Sequence, residues 1–212
     1  MTEATPFSAD GVQGFLHRPP GNAQGGGVLT HGAGGNCRAP LLVAAAAALA
    51  DAGFVALRCD LPFRRKRPTG PPSPAGAAAD RAGLRAAVAA LRLLSPGAML
   101  LGGQSYGGRQ ATLLVADEPG LVDGLLLFSY PLHPPGRPER PRTEHFPRLS
   151  APCVFVHGTA DPFATSAELR AAITAIPAAT TVIEIVGAGH DLRRGRFDLA
   201  PVAAAALRLV AG

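Results

Sequence analysis

Short apolar runs of strand length alternate along the chain with longer Ala-rich stretches whose polar residues recur at helical spacing. Val28–Thr30 is a strand-like run that ends in a glycine turn. Pro40–Ala52 predicts a helix, with Pro in its first turn and Gly53 just past its end. Phe54–Cys59 predicts the next strand. Over Gly76–Leu94, Leu84, Val88, Leu91 and Leu94 fall on a three-four spacing, while Arg81, Arg85 and Arg92 are left for solvent, so the stretch predicts an amphipathic helix. Further strands are predicted at Ala98–Leu101, Val122–Phe128, Val154–His157 and Thr181–Val186, and further helices at Arg109–Ala116, Thr165–Ile176 and Leu199–Val210. Strand and helix in repeated order predict an α/β fold: a doubly wound, mostly parallel sheet with helices on both faces. The chain is short for a closed barrel of eight strands and eight helices. Its 212 residues, with no internal repeat and no insertion long enough for a large cap, predict one domain spanning 1–212.

Composition narrows the function classes. At 47% hydrophobic and 17% charged, the chain has ordinary globular character. Its net charge of +5 is almost all arginine, Lys66 being the one lysine, and with the abundant Ala, Gly and Pro this matches the usage of a GC-rich, bacterial genome. The one dense basic run, Arg64-Arg65-Lys66-Arg67, lacks interleaved aromatics and is bracketed by Pro62 and Pro68. It predicts a surface loop, and nucleic acid is not an expected partner. Met1–Asp10 has neither a basic nor an apolar signal region, which predicts no secretory leader. The longest apolar run, Leu41–Ala50, stops at Asp51, too short to span a bilayer. Cys37, Cys59 and Cys153 are odd in number and lack C-x-x-C spacing, so neither a disulfide framework nor a metal site is expected. The expected location is the cytoplasm.

In a doubly wound sheet the reactive groups belong at the carboxyl ends of the strands. His31, Asp60, Ser105, Ser129, His157, Asp161 and His190 all lie at or just past predicted strand ends. Gly103-x-Ser105-x-Gly107 matches the nucleophile elbow, in which a serine sits on a strained strand-to-helix turn between small neighbours. In so glycine-rich a chain the pattern alone is weak; a strand before it and a helix after it strengthen it. A serine hydroxyl needs a base to take its proton. Among His17, His31, His133, His145, His157 and His190, the last follows the final predicted strand and the flexible Gly187-Ala188-Gly189, where the base of such a fold belongs. His157 is better placed to support the acid loop, and His31 to make structural hydrogen bonds. The orienting carboxylate must fall between Ser and His in chain order. Asp161, just past its strand, fits better than Asp117, Glu118 and Asp123 at a helix end or the wrong strand end, or Glu139 and Glu144 in a long loop. An oxyanion needs two preorganised backbone donors. Tyr106, after the nucleophile, is one; Ala33 in His31-Gly32-Ala33-Gly34-Gly35 is the other, with Gly34 second.

These segments together carry a resemblance. Thr30–Gly35, Gly102–Arg109, Tyr130–Gly136, Arg142–His145, His157–Phe163 and Gly189–Asp191 are similar to the small cap-less α/β-hydrolases related to dienelactone hydrolase. The most similar branch includes bacterial hydrolases of unassigned substrate, a testis-expressed hydrolase-like protein and the hydrolase-like domain of a histone-acetyltransferase complex subunit. The likeness runs from about Gly27 to the end and implies the same fold and the triad Ser105, Asp161 and His190. Dienelactone hydrolases proper carry Cys at the elbow, so Ser105 argues against that specific activity.

No phosphate-binding loop, dinucleotide fingerprint or H-E-x-x-H is present, so cofactor-free hydrolysis of a small-molecule ester is expected. The competing reading is a non-catalytic interaction module of the same fold. Pro131–Arg148 is expected to form the rim of an open, shallow site. Arg109, the run Arg64, Arg65 and Arg67, and the rim residues Arg137, Arg140 and Arg142 all come from the catalytic end of the sheet and raise the idea of an anionic substrate group.

Overall fold

The computed structural model describes residues 4–210; the ends of the expected domain, 1–3 and 211–212, lie outside the described residues. The strands are β1 (Thr5–Ala9), β2 (Val12–His17), β3 (Gly25–Thr30), β4 (Phe54–Cys59), β5 (Ala98–Gln104), β6 (Gly124–Phe128), β7 (Cys153–Gly158) and β8 (Thr180–Ile185). The helices are α1 (Pro40–Asp51), α2 (Pro62–Lys66), α3 (Ala77–Arg92), α4 (Tyr106–Asp117), α5 (Ser166–Ile173) and α6 (Ala200–Val210). One sheet joins all eight strands in the order β1-β2-β4-β3-β5-β6-β7-β8. From β3 to β8 every pairing is parallel, and only β2 runs against its neighbours. The doubly wound, mostly parallel sheet expected from the sequence is the one observed.

Two cores follow from the pleat. Val28, Leu57, Leu101, Leu127 and Phe155 face the layer of α3, α4 and α5. Their alternates Leu29, Ala56, Leu100, Leu126 and Val154 face α1 and α6. Both faces of the sheet are buried, which explains strands that read as continuous apolar runs.

Three departures from the sequence reading have physical causes. The β1–β2 hairpin was not foreseen, although its signal is present: Asp10-Gly11 joins the strands as a two-residue loop with both φ positive, 48° and 76°, as a tight hairpin turn requires. β3 begins three residues before Val28, and β5 runs three residues past Leu101, because glycines count against a strand by propensity. Here they are demanded by close approach: a Cβ on Gly102 would lie 1.8 Å from the carbonyl oxygen of Leu126, and one on Gly25 2.5 Å from that of Ala98. Finally, the basic run expected as a surface loop begins inside α2, and Arg64 is buried.

The chain leaves β3 on one side to form β4 and returns to its other side to form β5. That reversal opens a crevice at the carboxyl ends of β3 and β5. No helix among the described residues is long and apolar enough to cross a membrane.

Candidate active site

The elbow is built by crowding. Ser105 links β5 to α4 at φ 50° and ψ −116°, a backbone region that L-residues avoid and that costs on the order of 1–3 kcal/mol. Its N–H donates to the Phe128 carbonyl (2.9 Å) and its carbonyl accepts from Arg109 N–H (2.9 Å), so both strand and helix hold the turn. The flanking glycines are there for space. A Cβ on Gly103 would lie 2.3 Å from the Thr30 carbonyl oxygen, and one on Gly107 2.6 Å from that of His31. The elbow therefore sits directly against the end of β3.

Three side chains from three strand ends meet there. Ser105 Oγ lies 2.8 Å from His190 Nε2. His190 Nδ1 lies 2.8 and 3.0 Å from the two carboxylate oxygens of Asp161. The hydroxyl can thus donate to Nε2 while the Nδ1–H donates to the carboxylate. Asp161 is shut away from water, its side chain 0% exposed against 25% for His190. The acid loop and the histidine loop are tied to each other. Ala160 N–H donates to the Ala188 carbonyl (2.9 Å) and Gly187 N–H to Thr159 Oγ1 (2.8 Å). A Cβ on Gly158 would lie 2.4 Å from the Ala188 carbonyl oxygen, so glycine at the end of β7 is what lets the loops close.

Several supporting groups carried no sequence signal of their own. Phe163 stacks on the His190 ring, centroids 4.1 Å apart and planes 28° off parallel, and its N–H donates to Asp161 Oδ1 (2.9 Å). Gln104 donates to the His190 carbonyl (3.3 Å). Buried Asp80 of α3 accepts from the Tyr106 hydroxyl (2.7 Å) and from Phe63 N–H (3.0 Å), tying α4 to α2 and α3. Burial, and next the Asp80 carboxylate, raise the Tyr106 pKa far above the phenolic range, so the hydroxyl stays a donor.

The turn after β3 packs against the elbow: a Cβ on Gly32 would touch Ser105 Cβ at 3.4 Å. Gly35 N–H closes this turn on the Gly32 carbonyl (3.1 Å). Ala33 stands inside the turn, and its amide is not the closing one. Tyr106 is the first residue of α4, where helix N–H groups have no partner in a preceding turn. Arg64 holds the Ala33 turn from behind. Its guanidinium donates to the carbonyls of Ala33 (2.7 Å), Gly35 (2.7 Å), Gly70 (3.1 Å) and Arg67 (3.2 Å).

Of the remaining strand-end candidates, His31 and Asp60 have other partners. His31 Nδ1–H donates to the Gly32 carbonyl (2.8 Å), and Nε2 accepts from Leu61 N–H (3.2 Å). Asp60 accepts from Cys37 N–H (2.6 Å). His157 and Ser129 are fully buried, and among the described residues their side-chain polar atoms have no hydrogen-bond partner.

A cavity of about 560 Å³ opens on Ser105, with Ala33, Tyr106, Arg109, Arg142 and Phe163 in its lining. The expected rim contributes only Pro131 and Arg142. The lining also includes Pro71-Pro72-Ser73-Pro74, to which the sequence assigns no element, and Ala77 of α3. Within Pro131–Arg148, residues 135–141 are exposed, while Leu132, His133, His145 and Phe146 pack inward.

Comparison with solved structures returns the same architecture. A lidless α/β serine hydrolase from Xanthomonas campestris is similar over 98% of this chain and 95% of its own, at 19% identity and a TM-score of 0.76. Est1E from Butyrivibrio proteoclasticus covers 99% of both chains at 16% identity and a TM-score of 0.74. A dienelactone hydrolase from Anabaena variabilis, at 21% identity and a TM-score of 0.70, covers 99% of this chain and 95% of its own. At such identities the likeness is one of fold. Residues 25–200 match the family model described as the alpha/beta hydrolase domain, and the chain belongs to that family.

Proposed function

We propose that this protein is a serine hydrolase that cleaves a small carboxylic ester or thioester through an acyl-enzyme, with Ser105 as nucleophile, His190 as base and acid, and Asp161 as the orienting carboxylate. The observation that carries the reading is the unbroken chain of 2.8 Å contacts from Asp161 through His190 to Ser105, ending at the open cavity. In this mechanism Ser105 Oγ attacks the carbonyl carbon as its proton passes to His190 Nε2. Buried Asp161 stabilises the imidazolium. The oxyanion of the tetrahedral intermediate accepts from the amides of Ala33 and Tyr106. Collapse expels the alcohol or thiol, which takes the proton from His190. Water then attacks the acyl-serine by the same route and releases the acid. Ser105, His190, Asp161, two amides and water suffice for every step.

The same reading keeps the chain with the branch of the testis-expressed protein and the complex subunit, on the motifs they share, and within the cytoplasm. A cavity of about 560 Å³ has room for a whole small ester. The test is turnover of an acyl-ester series: acetyl and butyryl esters should be hydrolysed faster than long-chain triglyceride emulsions, and Ser105→Ala should abolish turnover. Undiminished hydrolysis by Ser105→Ala would refute the assignment.

A further inference from the structure

The arginines gathered at the catalytic end of the sheet have different fates. Arg64 is occupied by four backbone carbonyls. Arg65 is exposed and donates to the Gly11 carbonyl. Arg67, Arg137 and Arg140 are exposed and do not line the cavity. Arg109 and Arg142 do line it, beside Ser105.

Both carry donors that the protein leaves unused. Among the described residues, Arg109 Nε is buried with no hydrogen-bond partner. Its Nη2 reaches Glu144 at 3.2 Å, but that carboxylate is 63% exposed, and an ion pair so open to water is a weak competitor. Arg142 is half-buried, and its guanidinium makes no hydrogen bond or ion pair among the described residues. Burial, and next the positive charge of Arg109, lower its pKa. Two like charges converge on a cavity whose lining includes no Asp or Glu and is otherwise largely proline, alanine and Phe163. An anion entering this space relieves the repulsion and fills the idle donors.

We propose that Arg109 and Arg142 form an anion subsite next to Ser105, and that the natural substrate is an ester or thioester bearing a free carboxylate. The proposal deepens the serine-hydrolase reading and rests on it. A planar guanidinium pairs with a carboxylate through two parallel hydrogen bonds. Pro71, Pro72 and Pro74 offer an apolar wall to the short carbon chain that links the carboxylate to the scissile carbonyl.

The test uses two ester pairs, so that the carboxylate is carried once on each side of the scissile bond. Para-nitrophenyl hydrogen glutarate is compared with para-nitrophenyl hexanoate, and para-acetoxybenzoate with phenyl acetate. In at least one pair the ratio of kcat/KM, charged over neutral, should fall about tenfold or more in Arg142→Met. In the wild type the same ratio should fall as salt is added. Each neutral ester serves as the internal reference for a variant that folds less well. Glutarate itself is the binding probe: calorimetry should show saturable binding to the wild type and its loss in Arg142→Met. Ratios unmoved by Arg142→Met in both pairs would overturn the subsite while leaving the hydrolase reading intact. If neither pair turns over, the hydrolase reading fails, and glutarate binding alone then decides the subsite: Arg142-dependent binding supports it, and no binding overturns it.

Discussion

At the scale of single residues, the meeting of Ser105, His190 and Asp161 was legible because each member obeys a chain-order and strand-end rule visible in the letters. Ser105 has its glycines, Asp161 its place past β7, His190 its flexible approach. Arg64 was not legible. A basic run bracketed by prolines reads as solvated, and nothing in the letters says that one of its four cations turns inward to find four carbonyls. Its position gives a prediction. Arg64→Ala frees the carbonyls of Ala33 and Gly35, so the turn that presents the Ala33 amide should loosen. The expected result is a kcat about tenfold to a hundredfold lower with KM little changed, as for an oxyanion donor held out of place. Arg64→Lys should not restore it, since an ammonium cannot span four acceptors. A rise in KM at unchanged kcat would assign Arg64 to substrate binding instead. The trio itself should behave as a unit: Ser105→Ala with His190→Ala should cost little more than either change alone, measured as residual kcat. Two losses that multiply would show that one of them is misassigned.

At the scale of elements, glycine was the main source of error. Gly25-Gly26-Gly27 and Gly102-Gly103 fall outside the strands the sequence predicts at Val28–Thr30 and Ala98–Leu101, yet each lies in a central strand. The reason is packing that a sequence does not display: a helix or a neighbouring carbonyl stands where the Cβ would be. Gly102→Ala places a methyl 1.8 Å from the Leu126 carbonyl oxygen at the middle of the sheet. Thermal unfolding should show a loss of about 3 kcal/mol or more, the upper end of overpacking costs. Gly34→Ala meets nothing within 4 Å and needs no positive φ, so its melting temperature should stay near that of the wild type. Equal Tm losses would mean that chain entropy, not crowding, selects these glycines. The α5 start, by contrast, is visible in the letters: Thr165 and Glu168 form a reciprocal cap, as the T-x-x-E spacing foretells.

At the scale of the whole molecule, alternation of strand and helix was enough for the doubly wound sheet, and the sheet in turn fixes where the three loops meet. The β1–β2 hairpin lay beyond that reasoning because it adds an antiparallel edge to a parallel pattern. The fold also buries histidines. Burial, with the charge of Arg58 next, pulls the His17 pKa down to about 4, and burial does the same to His145, to about 4. In the unfolded chain each takes up its proton near pH 6.5; in the fold each resists until about pH 4. Between those values the unfolded state binds more protons, so stability falls as pH is lowered through the window. The slope from the two together is at most about 2.7 kcal/mol per pH unit. Denaturant midpoints should be flat with respect to these groups above pH 6.5 and drop below it. Replacing His145 by Gln should reduce the slope, and an unchanged slope would show that His145 protonates freely in the fold.

The central claim is that Ser105 is an activated nucleophile. Labelling the intact protein with a fluorophosphonate probe and locating the adduct by mass spectrometry tests it most directly, because the probe reacts with a serine only when a base and an oxyanion site serve it. The account predicts one adduct, on Ser105, absent in Ser105→Ala and slowed strongly in His190→Ala. A folded wild-type protein that takes no label, or takes it on another serine, would contradict it.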